Sequence, residues 1–302
     1  MIKLSQVKYI RFIILLILLT TGERLFNTSV LAQSTQHKKQ SYKIAVIDLM
    51  ILKRQKLSAL PLAKSIGADG LEVDMGGLGT RETFDNKLVI DSVRKQYLDK
   101  AAELRLEICS IAMTGFYAQS FAERPTALKA VQDCITTMKL MNVKVAFLPL
   151  GVQGDLVKNP ELRPAIVDRL TTAGKMAVAA GVVIGIETSL PAKEEVKLLQ
   201  EIGSAGIKIY FNFANPLKEG RDLYNELKIL GKDRICMIHC TNKDSVWLQY
   251  DRQIDMKKVK HTLDNMKWKG WLVIERSRDA TKTKDVQVNY GANTTYLKSV
   301  FQ

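Results

Sequence analysis

A chain of 302 residues with 46% hydrophobic and 25% charged side chains suits one large globular domain or two small ones. The formal charge of +14 favours anionic partners such as acidic sugars, membrane lipid or nucleic acid. No Lys/Arg block runs longer than two, apart from the spaced cluster Lys257, Lys258 and Lys260, so the surplus reads as a solvated surface of mixed sign and argues against nucleic acid as a partner.

Residues 1–32 read as a secretory signal peptide. Lys3, Lys8 and Arg11 make a basic start, residues 12–19 are unbroken apolar, and Val30, Leu31 and Ala32 offer small residues where cleavage is expected. The apolar run stops at Thr20, well short of the roughly 20 residues that span a bilayer, and no cysteine follows the cleavage position to carry a lipid. The expectation is an exported protein, periplasmic or secreted, with no stable membrane anchor after cleavage. Removing Lys3, Lys8, Arg11, Arg24 and Glu23 lowers the charge to +11, still basic.

After a polar linker at 33–42, apolar runs alternate with helical segments. The runs are KIAVIDLM from Lys43, GLEVDM from Gly70, LEICSIAM from Leu106, VKVAFLPL from Val143, VVIGIE from Val182, IKIYFN from Ile207, ICMIHC from Ile235 and WLVIE from Trp271. Between them, Leu88, Val93, Tyr97, Ala101 and Leu104 recur at helical spacing, as do Leu128, Val131, Ile135 and Met138, then Ile166, Leu170, Ala173, Ala177 and Ala180. Gly67, Gly181, Gly206 and Gly231 fall where a helix C-cap precedes a strand, and Pro125 and Pro164 sit near helix starts. Strands apolar on both faces, alternating with helices, demand a parallel sheet covered by helices. Eight such units, without a Gly-rich phosphate fingerprint after the first strand, favour a closed barrel over a doubly wound open sheet. The fold class expected is α/β, a single (β/α)8 TIM barrel over 43–302, with no second domain, low-complexity tract or coiled coil.

Four cysteines in an exported chain invite a disulfide reading. Cys236 and Cys240, however, stand four apart on one strand, roughly 13 Å at strand rise and too far to bond. Cys109 lies in a buried strand and Cys134 in an amphipathic helix, so buried free thiols are expected.

Four consecutive runs end in polar residues: Glu187, Asn212, His239 and Glu275. Ile235, Met237 and His239 share one strand face, and Trp271, Val273 and Glu275 share another, each apolar until its last residue. In a parallel barrel the C-terminal strand ends converge on one mouth, where active sites form. A lone histidine on an apolar strand is ordinarily a satisfied core residue; with Glu187 and Glu275 at matching strand ends, His239 reads as a ligand. His37 and His261 read as surface residues. Glu72, ending the second strand, is expected at the same mouth, in contact with substrate hydroxyls, with a rim salt bridge as the other reading for it and for Asp74. Asn212 reads as a metal ligand or as an amide that bonds its own loop. Phe116, Tyr117 and Trp247 lie in loops after the third and seventh strands, where an aromatic ring can stack on a sugar or cover the core.

The motifs GADGLEVD at the second strand and IGIET at the fifth, the Asn-x-x-Asn of Asn212 and Asn215, IHCTNKD, and the closing KGWLVIE come in a defined order. With them the chain, over 43–300, resembles the xylose-isomerase-like TIM barrels. That superfamily contains sugar (phosphate) isomerases and epimerases and the endonuclease-IV-like enzymes. The resemblance implies a divalent metal, manganese, magnesium, cobalt or zinc, held by Glu187, Asn212, His239 and Glu275, and a small-molecule carbohydrate as partner, with a homo-oligomer possible. Glu187 and Glu275 are the candidates for acid and base as well as ligands, and Glu72, Asn215, Tyr117 and Trp247 are expected toward the substrate.

The chemistry is coherent. Moving a proton between adjacent sugar carbons needs an acidified C–H beside a carbonyl, an ion that steadies the enediolate, and two carboxylates that take and return the proton. The expected activity is therefore a metal-dependent sugar or keto-sugar isomerase or epimerase. The alternatives are a carbohydrate-binding barrel with a degraded metal site and a lyase or dehydratase acting on a keto-polyol. A multi-zinc nuclease is disfavoured, because it needs several histidines and the chain has three. Three departures from the family pattern stand out: Asn212 replaces the usual aspartate, the lysine-aspartate pair after the histidine is displaced to Lys243 and Asp244, and LQYDRQ from Leu248 replaces a Gly-rich segment.

Overall fold

Strands that are apolar on both faces need helices over one face and their own side chains packed against the other. A computed structural model, which describes residues 42–302, meets that demand in full. The expected signal peptide and all of the linker but Tyr42 lie outside the described residues. Strands β1 (Tyr42–Ile47), β2 (Gly70–Asp74), β3 (Glu107–Ala112), β4 (Val145–Pro149), β5 (Val183–Glu187), β6 (Ile207–Asn212), β7 (Ile235–His239) and β8 (Gly270–Ile274) form a closed barrel in sequence order. All pairs are parallel, and β1 meets β8 from Tyr42 opposite Gly270 to Val46 opposite Ile274.

The helices are α1 (Asp48–Ile51), α2 (Ala59–Ile66), α3 (Asp91–Leu104), α4 (Ala127–Leu140), α5 (Arg163–Ala180), α6 (Ala192–Ile202), α7 (Ala214–Lys218), α8 (Leu223–Leu230), α9 (Met256–Asn265) and α10 (Val286–Phe301). Among the described residues, none is long and apolar enough to cross a membrane.

The period of two along each strand sorts its side chains into two cores. Outward residues such as Ile44, Val46, Ile111, Ile184 and Ile238 pack beneath the helices, against Leu60, Ile135, Leu170 and Leu263. Inward residues form a separate cluster in the lumen: Ala45, Ile47, Cys109, Ala112, Phe147, Tyr210, Met237 and Val273. Space there is short. A Cβ built on Gly185 would stand 2.5 Å from Cys236 Sγ and 3.0 Å from Tyr210 Cβ, so the glycine of β5 makes room for the tyrosine of β6. A register shift between β6 and β7 at Ile209 and Tyr210 then sets Asn212 directly opposite His239.

Two local expectations change. The first apolar run does not continue as a strand to Met50. The chain turns into α1 at Asp48, whose buried carboxylate accepts the amides of Gln55 at 2.8 Å and Asp74 at 3.1 Å. The cap before β6 is Gly203 (φ 63°), not Gly206. Gly206 serves a close approach instead, since a Cβ there would collide with the Gly174 carbonyl of α5. All four cysteines are free; Cys109, Cys134 and Cys240 are buried and Cys236 half-buried.

Candidate active site

The last residues of β5, β6 and β7 are Glu187, Asn212 and His239, and Glu275 follows β8 directly. Parallel strands in register carry these four to one level, with His239 just beneath the floor of a cavity of about 680 Å³. Glu187, Asn212, Asn215 and Glu275 line it, with Tyr117, Phe147, Arg54 and Arg276 in its walls.

Asn212 joins the two carboxylates. Its Nδ2 lies 3.1 Å from Glu187 Oε2 and 3.2 Å from Glu275 Oε2, while its Oδ1 accepts the Ala214 amide at 2.9 Å. Asn215 Nδ2 donates to the Thr188 carbonyl at 2.9 Å and stands 3.5 Å from Glu187 Oε1. His239 Nδ1 is 3.3 Å from Glu187 Oε2, so three side-chain nitrogens surround the Glu187 carboxylate. The Glu275 carboxylate accepts only the Asn212 bond among the described residues.

His239 is fully buried, against the rings of Phe147 and Tyr210 at centroid distances of 4.7 and 4.5 Å. Its Nε2 lies 3.2 Å from Glu72 Oε1. A carboxylate at each ring nitrogen favours the protonated imidazole. Burial opposes that charge, yet the hydrogen bonds to Glu187 and Glu72 and the negative charges around them push its pKa up to about 10. Glu72 shows the reciprocal effect. Burial would raise it, but the hydrogen bond and charge of His239, with donation from Ser110 and Tyr210, hold it below the usual carboxylate range. Glu275 is raised, chiefly by burial, with the charge of Glu187 adding and those of His239 and Arg276 opposing.

Two residues expected at the substrate lie elsewhere. Glu72 is not the end of its strand. β2 runs on to Asp74, so Glu72 sits about 7 Å deeper, under the cavity floor, where Ser110 Oγ (2.5 Å), Tyr210 Oη (2.6 Å) and His239 occupy its carboxylate. Trp247 is absent from the cavity wall; its indole N–H donates to Asn289 Oδ1 at 2.8 Å and its ring stacks on Tyr250. Tyr117 does reach the wall, whereas Phe116 is buried edge-on against Phe84 and Phe121.

Two wall residues were not anticipated. Arg54 is anchored by buried Asp74 (Nε to Oδ1, 2.9 Å) and by Thr114, and Arg276 follows Glu275. The second was legible in principle, since any residue directly after a strand-end ligand sits at the mouth. The first depends on a loop whose path the sequence does not announce. Behind the site, buried Glu195 accepts the Thr188 hydroxyl at 2.7 Å.

The metal expected from the resemblance requires four ligands. Glu187, His239 and Glu275 have suitable donor atoms. Asn212 does not fit, because its oxygen is turned to the Ala214 amide and it presents N–H groups, which cannot ligate, to the space between the carboxylates. Among the described residues, no group of three or more His, Cys, Asp and Glu side chains is arranged to hold a metal ion.

Carboxylates at the strand ends of a closed parallel barrel, under a cavity with aromatic and cationic walls, define the class as a TIM barrel with paired carboxylates at its mouth. The sequence from 60 to 298 matches the family described as xylose isomerase-like TIM barrel, and the chain belongs to that family. A curated relative from Actinoplanes sp., 2-epi-5-epi-valiolone 7-phosphate 2-epimerase, is 26% identical over 188 residues, 59% of this chain; the match spans 66% of the relative's length, just under two thirds. The apo crystal structure of 3-keto-D-glucoside 4-epimerase from E. coli superposes with a TM-score of 0.68 at 16% identity, covering 85% of this chain and 99% of that one. The crystal structure of the IolI protein with a zinc atom gives a TM-score of 0.65 at 16% identity, covering 86% and 99%. At these identities the structural likeness speaks for the fold.

Proposed function

We propose that this protein is an isomerase or epimerase of a sugar or keto-sugar, acting by proton transfer at a carbon beside a carbonyl, and that it works outside the cytoplasm. The observation that carries the reaction is the pair Glu187 and Glu275, tied through one amide nitrogen at 3.1 and 3.2 Å on the floor of an open cavity. The family to which the chain belongs and the epimerases it is similar to support the substrate class. The basic-then-apolar start of the sequence supports export.

Inversion at a carbon needs a base on one face and an acid on the other. Glu275, raised by burial and by the charge of Glu187, and with hydrogen-bonding capacity to spare, is the group that carries the proton. Glu187, steadied by its nitrogen donors, is the base. Negative charge develops on the substrate oxygen as the proton leaves, and Arg54 and Arg276 present fixed positive charge from the walls. Phe147 and Tyr117 offer the apolar surface on which a sugar ring rests.

The test is solvent exchange. Keto-hexoses and 3-keto-glucosides are incubated with the protein in D2O and followed by NMR. The expected result is deuterium at the carbon beside the carbonyl, with the epimer or isomer appearing at a comparable rate. Ligand-induced thermal protection without exchange would convert the reading to a carbohydrate-binding barrel, and an unsaturated product would convert it to a lyase.

A further inference from the structure

We propose that Asn212 does the work of a divalent cation between Glu187 and Glu275, and that this chain holds its carboxylate pair together without a metal. The Ala214 amide is a donor and needs an acceptor, so it fixes which end of the Asn212 side chain is the oxygen. The NH2 end is thereby directed at the carboxylates, one N–H toward Glu187 Oε2 and one toward Glu275 Oε2. A cation entering between them would meet N–H groups instead of lone pairs. Turning the amide over would bring its oxygen to the ion, but it would set the NH2 against the Ala214 N–H, donor against donor. An aspartate faces no such conflict, because one oxygen takes the Ala214 amide while the other remains for an ion. The single nitrogen in place of an oxygen therefore converts a ligand into a competitor of the metal.

The surroundings agree. Glu187 is also approached by Asn215 Nδ2 at 3.5 Å and His239 Nδ1 at 3.3 Å, and the other His239 nitrogen is taken up by Glu72. The proposal concerns the same carboxylates as the reaction proposed above but does not depend on turnover, so its test reads metal directly.

Wild-type protein and Asn212→Asp are stripped with chelator, dialysed against Mn²⁺ and, separately, Zn²⁺, and examined by elemental analysis and thermal denaturation. The expected result is no stoichiometric uptake and no shift of the melting temperature in the wild type. Asn212→Asp is expected to take up about one ion per chain and to melt higher as metal is added. A wild-type protein that binds one ion per chain, lost in Glu187→Gln and Glu275→Gln, overturns the proposal, as does equal affinity in wild type and Asn212→Asp. Should Asn212→Asp not fold, the wild-type titration decides alone: uptake that depends on Glu187 overturns the proposal, and no uptake upholds it. If the wild type exchanges solvent deuterium into a keto-sugar, the rate is expected to be the same with chelator present.

Discussion

The two sides of the barrel mouth use the same residue chemistry to opposite ends. On the β1–β2 side, Asp48 and Asp74 are fully buried and spent on scaffolding: Asp48 takes the amides of Gln55 and Asp74, and Asp74 takes the Gly76 amide, the Thr114 hydroxyl and Arg54. On the β5–β8 side, Glu187 and Glu275 are joined by side-chain nitrogens and keep an edge toward the cavity. Burial raises Asp48 well above its ordinary range and Asp74 to about 6, as it raises Glu275, so a perturbed carboxyl alone does not separate scaffold from chemistry. What separates them is access. Asp48 and Asp74 are wholly enclosed and absent from the cavity lining, whereas Glu187 and Glu275 line a space that a small molecule can fill.

That contrast can be broken experimentally. Glu275→Gln and Glu187→Gln are expected to lower the solvent-exchange rate by about 10²–10⁴-fold with little change in melting temperature. Asp48→Ala is expected to reverse the pattern, leaving two buried amides unpartnered at a cost of about 2–4 kcal/mol in chemical denaturation. A dependence on pH concerns Glu195, raised from near 4.5 to about 8 by burial, with the charge of Glu226 adding and the Thr188 hydrogen bond opposing. The folded chain then keeps a proton that the unfolded chain has lost. Its stabilising contribution is complete below about pH 4.3 and lost as the pH rises through about 8. Glu195→Gln should flatten that fall in a series of melting temperatures across the same range.

The barrel was legible because its eight apolar runs and intervening helical periods are local patterns, and the four strand-end residues followed from counting along each run. What escaped the sequence was depth and distant partnership. Glu72 and Glu187 look alike as glutamates in short apolar strands, but β2 continues two residues past its glutamate and β5 does not. Trp247 has the look of a sugar platform, yet its position is decided by Asn289, 42 residues away. Asn212 was identifiable as a departure, while the consequence rests on the Ala214 amide, which only the turn into α7 brings to it.

The aromatic stack that runs from the cavity wall down into the lumen carries one more consequence. Phe147, Tyr210 and His239 pack at centroid distances of 4.5 to 4.9 Å across the lumen, and Trp271 lies against Gly70 farther down. The barrel axis is therefore no passage. On the proposed function, a product formed at Glu187 and Glu275 leaves through the doorway by which its precursor came, and while it lingers the next one waits outside.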